Sequence, residues 1–265
     1  MNAWLILLLV WGLAVLMMAL GWRWQRRHTN TGIVDALWAA GLGGAAVLLA
    51  LLGTGAAAPR LALGVLGGLW GLRLALHLWR RVGHEPEDGR YRALREHWQG
   101  DQRRLFGFFQ FQALLIPLFA LPFVAVATNA VASPPWLAAG VAIWIVGVLG
   151  EAVADTQLAR FRADPRHRGR SCRHGLWRYS RHPNYFFEWL HWFAYVALAV
   201  GSPLVWLAWS GPVLMWLFLR FISGIPFTEA QALRTRGEDY RAYQRSTPML
   251  FPWFPKRSLD LRNEQ

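Results

Sequence analysis

Five ionisable residues lie inside otherwise apolar stretches of the sequence: Asp35, Arg73, Glu151, Asp155 and Glu188. A charge at the centre of a membrane-spanning helix costs at least about 2.5–3.5 kcal/mol, so each needs a partner or a polar cavity. Glu151 and Asp155 are four residues apart and Arg162 follows seven later, which puts all three on one face of a continuous helix. Asn184 and Glu188 repeat the four-residue spacing in the next apolar segment. Two carboxylates, an amide and an arginine that converge can orient a polar ligand; ion pairs that merely hold helices together use the same residues. From Arg160 to His182 the chain carries eight Arg with His167, His174 and His182, against the single acid Asp164. Guanidinium groups grip phosphate in bidentate fashion. Arg160, Arg162, Arg178 and Arg181 are therefore candidate phosphate contacts, with anionic lipid head groups as a second source of the same chemistry. The histidines lack metal-ligand spacing and Cys172 is the only cysteine, so neither a metal site nor an internal disulfide is expected.

The elements that must position these groups are apolar helices. A span needs about 20 mostly apolar residues, and seven stretches qualify: 3–22, 33–52, 61–79, 106–128, 136–158, 184–200 and 203–221. Together with a 55% hydrophobic composition they predict an all-α polytopic membrane protein, organised as a single domain over 1–265. No charge precedes the first stretch, and Arg23, Arg26 and Arg27 follow it, so it reads as a retained helix rather than a cleaved signal. The net charge of +13 would suit nucleic acid on a soluble surface. Here 26 of the 28 Lys and Arg fall in alternate inter-helix segments, leaving only Arg60 and Arg73, which excludes that reading. The positive-inside rule then places the protein in the inner (cytoplasmic) membrane, N-terminus outside and C-terminus in the cytoplasm. On this topology all five buried charges fall in the cytoplasmic half, as one polar pocket open to the cytoplasm would require. Arg80–Arg104 predicts an amphipathic helix lying on the head groups, with a lid over a site as the alternative. Gly64, Gly67, Gly68 and Gly71 suit close helix packing. Pro183 suits the first turn of a helix, where its missing N–H costs nothing.

The run Gly175-Leu-Trp-Arg-Tyr-Ser-Arg-His-Pro-Asn-Tyr-Phe-Phe-Glu188, with Tyr240, Tyr243 and the ending Phe251-Pro-Trp-Phe-Pro255, resembles the C-terminal domain of the steroid 5α-reductase superfamily, in a bacterial membrane branch. The resemblance implies a seven-helix membrane oxidoreductase acting on a CH–CH group. It would bind NADPH from the cytoplasm and pass hydride to the β-carbon of an enone in a lipophilic, steroid- or isoprenoid-like substrate. In that family an Asn or acid, an Asp four residues on and an Arg seven further contact the cofactor, matching Glu151, Asp155 and Arg162. The family's Asn and Glu four apart match Asn184 and Glu188, and a family Arg near the end of the last helix is similar to Arg220. Tyr179, Tyr185, Arg178, Arg181, His182 and Tyr240 complete the cofactor set that the resemblance implies, with Arg160 beside it. Steroid reductases polarise the enone oxygen with a Glu on helix 2 and a Tyr on helix 3. Asp35 is the counterpart of the Glu, but the Tyr position falls on Trp70, near Arg73, and an indole N–H is a hydrogen-bond donor rather than a general acid. Isoprenylcysteine carboxyl methyltransferases, which use S-adenosylmethionine, share a related Arg-His-Pro-x-Tyr turn and an ending with Glu229 and Tyr240. They supply the alternative enzyme class, and a non-catalytic membrane scaffold supplies a third. The expected partners are a lipophilic small molecule and membrane lipids, with no nucleic acid and an oligomeric state that the sequence leaves open.

Overall fold

The computed structural model describes residues 2–256, and every regular element in them is helical. Among the described residues six helices are long and apolar enough to cross a membrane: Ala3–His28 (α1), Ile33–Leu52 (α2), Ala57–His84 (α3), Gln102–Ala127, Pro134–Ala163 (α7) and Val205–Ser246. The fourth is Gln102–Phe119 (α5) followed by Leu121–Ala127 (α6), with Pro117 inside it; between α3 and α5 lies the short helix Gly89–His97 (α4). Leu5, Leu8, Leu9, Leu13, Leu16 and Leu20 of α1 are exposed. A surface of that kind is stable in hydrocarbon and unfavourable in water, and the protein is a multi-pass integral membrane protein.

Six of the seven expected spans correspond to these helices, extended by a turn or so at several ends. The remaining stretch, 184–200, is two short helices, Pro183–His191 (α8) and Phe193–Leu198 (α9). Val205–Ser246 is also composite. Val205–Ala208 (α10) and Ser210–Leu217 (α11) lead into a π-helical turn, Phe218–Ile222, and then Ile225–Ser246 (α12), which bends at Gly237 where φ is 50°.

The chain divides into two compact units. In the first, Met1–Val141 with Ala194–Gly211, α2 packs against α3 at backbone distance. A Cβ on Gly71 would lie 2.5 Å from the Gly43 Cα, and one on Gly67 2.5 Å from the Ala46 Cβ, so only glycine allows this approach. Arg60 closes the end of α2, donating to the carbonyls of Ala50 (3.1 Å) and Gly53 (2.8 Å). Such capping satisfies carbonyls that the helix itself leaves orphaned.

In the second unit, Ala142–Phe193 with Pro212–Gln265, α7 packs against α8. Cβ atoms on Gly147 and Gly150 would lie 2.6 Å from the His191 Cβ and 2.3 Å from the Phe187 ring. The 3-10 turn Gly175–Arg178 rests on the same helix, with Trp177 Nε1 donating to the Ala154 carbonyl (2.9 Å) and Leu176 N to Gln157 Oε1 (2.9 Å).

Candidate functional site

The α7–α8 contact brings together two of the side chains singled out by spacing. Asn184 Nδ2 donates to Asp155 Oδ1 at 3.1 Å. Asn184 Oδ1 is buried and accepts from nothing among the described residues. A buried acceptor without a donor costs about 1–3 kcal/mol, and here a ligand N–H or O–H would relieve it. Glu151, one turn before Asp155, is 8% exposed. Glu188, one turn after Asn184, accepts from Trp192 Nε1 (3.4 Å) and lies 3.7 Å from His191 Nδ1.

Arg162 is two helical turns beyond Asp155, about 10 Å along the axis by helix rise. It lines a cavity of about 490 Å³ with Leu158, Phe161, His167, Arg168, Arg170, Gln231, Thr235 and Arg236. No carboxylate belongs to that lining, and among the described residues none of these four guanidinium groups is hydrogen-bonded or ion-paired. Asp239, the neighbouring acid of α12, is engaged by Arg173 and by the Ser171 N–H. Elsewhere the arginines are commonly paired: Arg81 with Asp88, Arg95 with Glu87, Arg166 with Asp164. An open set of four cations is therefore a feature of this cavity, and it fits a phosphorylated ligand.

The Arg-His-Pro turn is occupied differently. Arg181 donates from Nε (2.8 Å) to Glu229 and from Nη1 to the carbonyls of Gln244 (3.2 Å) and Thr247 (2.6 Å). His182 Nε2 (3.2 Å), Tyr240 Oη (3.2 Å) and Gln244 Nε2 (2.8 Å) also donate to the Glu229 carboxylate. Burial holds the His182 imidazole below its ordinary pKa although Glu229 pulls the other way, so it is neutral with the proton on Nε2. Tyr243 Oη closes the same knot by donating to the carbonyls of Trp177 and Ser180. Of the remaining expected contacts, Arg160 and Arg178 are exposed, Tyr179 packs edge-on against Phe254, and Tyr185 pairs with Thr228 (3.2 Å). Arg220 sits in the π-helical turn over the Phe221 ring.

In the first unit, Asp35 in the opening turn of α2 accepts from Tyr91 Oη at 2.5 Å and pairs with Arg90 at 3.3 Å. Both partners come from α4, which Asp88 caps by accepting from Arg90 N (2.9 Å). Another carboxylate, Glu87, with only 6% of its side chain exposed, accepts from Thr31 N (2.8 Å) and pairs with Arg95 (2.5 Å), fastening α4 to the start of α2. Burial, then the adjacent Asp35 charge, pushes the Tyr91 phenol well above its ordinary pKa, so it remains a neutral O–H donor. The cavity beside Asp35 measures about 20 Å³, room for one water, and is lined by Leu78, Val82 and Tyr91 among others. Trp70, 1% exposed on α3, lies eight residues before Leu78, about 12 Å of helix rise. Arg73 is half-buried one turn beyond Trp70.

Sequence spacing did not single out Tyr91, Arg168, Arg170 or Arg236 as site residues. The last has a signal: Glu229, Arg236, Tyr240 and Tyr243 form a helical stripe with steps of seven, four and three. Tyr91 has none, because its contact with Asp35 joins elements 56 residues apart. The family model described as Protein of unknown function (DUF1295) matches residues 21–247. No curated protein and no solved structure matches the chain.

Proposed function

Since the chain belongs to the family described as Protein of unknown function (DUF1295), whose description assigns no reaction, we propose a function from the site and from the resemblance to the steroid 5α-reductase superfamily. The protein is an integral membrane oxidoreductase that reduces a carbon–carbon double bond conjugated to a carbonyl in a lipophilic substrate, with NADPH as donor. The observation that carries this reading is the buried Asn184 Oδ1, without a donor among the described residues, beside Asp155 on a helix whose same face reaches four arginines that are unpaired among those residues. A primary carboxamide supplies the missing N–H, and phosphates supply the missing anions.

When bound, the nicotinamide would supply the hydride. The chain's own residues do the rest. Asn184 and Asp155 orient the carboxamide, while Arg162, Arg168, Arg170 and Arg236 neutralise phosphate charge. Reduction of an enone builds negative charge on the carbonyl oxygen, which a preorganised donor in a low-dielectric site stabilises. S-adenosylmethionine, whose single carboxylate is outweighed by its sulfonium and ammonium groups, would leave the arginine cavity uncompensated.

The test is thermal stability and titration calorimetry of the detergent-purified protein with NADPH and with S-adenosylmethionine. The expected result is binding of NADPH alone, weakened about tenfold by Asn184→Ala, the upper end for a neutral hydrogen bond, and about tenfold or more by Arg162→Gln, the scale of losing a hydrogen bond to a charged group. Stabilisation by S-adenosylmethionine alone, or by neither, overturns the reading.

A further inference from the structure

The C-terminal stretch of the described chain places large apolar side chains outward and holds them there. Phe251 is 54% exposed, Trp253 72% and Phe254 73%. Their backbone is fastened at several points: Arg181 N donates to the Pro248 carbonyl (2.9 Å), Ser180 Oγ to that of Leu250 (2.8 Å), and Trp253 N to that of Tyr179 (2.9 Å). Lys256 N donates in turn to the Ser246 carbonyl (2.8 Å). Pro252 and Pro255 bracket the tryptophan and the phenylalanine, fixing their own φ and removing two donors that would otherwise need partners. The aromatics are thus presented by a pinned backbone and cannot turn inward without breaking it.

Where the stretch lies decides what it meets. The Phe251 ring contacts Phe186 (6.2 Å) and Trp189 (5.5 Å), one and two turns into α8, and Trp189 continues to Phe193 (4.7 Å). On its other side the Phe254 ring meets Tyr179 (5.9 Å), next to the exposed Arg178. Arg245, exposed on the last turn of α12, and Lys256 add two more cations at this end. The segment therefore straddles the level at which the second unit changes from arginine-rich turns to apolar helix. Indole and phenyl rings flanked by cations partition to the head-group level of a bilayer, where the rings leave water and the charges meet phosphate.

We propose that Phe251–Pro255 is an interfacial anchor, seated in the head-group layer of an anionic phospholipid membrane. The anchor fixes the depth of the turn 175–182, and with it the depth of Asn184 in the bilayer. This role is independent of the reductase reading.

Trp253→Cys in a Cys172→Ser background, labelled with a nitroxide in phosphatidylglycerol-containing nanodiscs, tests it; Glu238→Cys, exposed on α12, is the aqueous reference. The expected spectra show collision with oxygen exceeding collision with a water-soluble nickel chelate at 253, and the reverse at 238. An equal response to nickel at both positions overturns the proposal. So does strong dipolar coupling between labels at 253, which would make the covering partner a second copy. Because a spin label replaces the indole itself, quenching by head-group-proximal brominated lipid supplies a second measurement. The fraction of tryptophan emission quenched should fall in Trp253→Phe relative to the unaltered protein, and no change overturns the anchor.

Discussion

Glu229 concentrates hydrogen bonds from four side chains that the sequence scatters over more than sixty positions, Arg181, His182, Tyr240 and Gln244. Removing one partner of a buried, hydrogen-bonded charge network strands the others, at a cost of about 3–5 kcal/mol. Glu229→Ala should therefore lower the melting temperature in detergent sharply, and Glu229→Gln, which keeps an acceptor oxygen, clearly less. Equal small effects would show the network to be dispensable. His182 gives the same knot a pH dependence. Its folded pKa is below the ordinary value, so as pH falls the unfolded chain takes up the proton first. The stability it contributes is complete above about pH 6.5 and declines as pH falls from there toward the folded value. A melting profile from pH 8 to 5 should slope more steeply in the unaltered protein than in His182→Gln. At this scale the sequence exposed what lies within a helical turn or two. Asp155 and Asn184 were each legible as members of their own i, i+4 sets, while the hydrogen bond that joins them across 29 residues was not. The capture of Arg181 by Glu229 was not, because no local pattern records a contact across 48 residues.

The helices themselves follow from length and apolar content, and the one interrupted stretch shows where such reasoning ends. No Pro or Gly lies between Asn184 and Val200, so nothing local announces the break between α8 and α9 at Trp192. At the break Trp192 is fully buried with its indole donating to Glu188, and one turn earlier Trp189 Nε1 makes a long-range bond to the Pro212 carbonyl (3.0 Å). The α7–α8 contact is the element-level feature on which the site depends, and its glycines make it testable. A Cβ at 147 would meet the Cβ and backbone of His191 at 2.6–3.1 Å, atoms that cannot swing aside. Gly147→Val should cost about 1–3 kcal/mol as overpacking does. It should also weaken NADPH binding by separating Asp155 from Asn184. Gly83→Ala in α3, with no atom within 4 Å of the added methyl, is the control and should be neutral or slightly stabilising. Loss of stability at both positions, or retained affinity in Gly147→Val, would detach the site from this packing.

At the scale of the molecule, charge and helix count make separable statements about topology. Basic residues in alternate inter-helix segments require the chain to cross the bilayer between each pair, and 26 of 28 obey that alternation only if 184–200 crosses as well. Length alone would not count it, since α8 and α9 are each under three turns. Within the first unit, Asn129 Nδ2 donates to the carbonyls of Leu198 (2.9 Å) and Val200 (3.0 Å), which sets the end of this stretch beside the turn at 129–133. That turn carries no Lys or Arg, whereas the approach to Pro183 is crowded with arginine. By the positive-inside rule, a stretch with arginine-rich sequence before it and an uncharged turn at its end is expected to change sides. In a bacterial host, alkaline phosphatase fused after Ala132 should then be active and green fluorescent protein fused after Lys256 should fluoresce. The N-terminus should be accessible from outside. A dark C-terminal fusion with an active phosphatase at 132 would mean that 184–200 turns back within one leaflet. The basic turns 23–32, 80–104 and 160–182 would keep their side, and the termini would share the outer one.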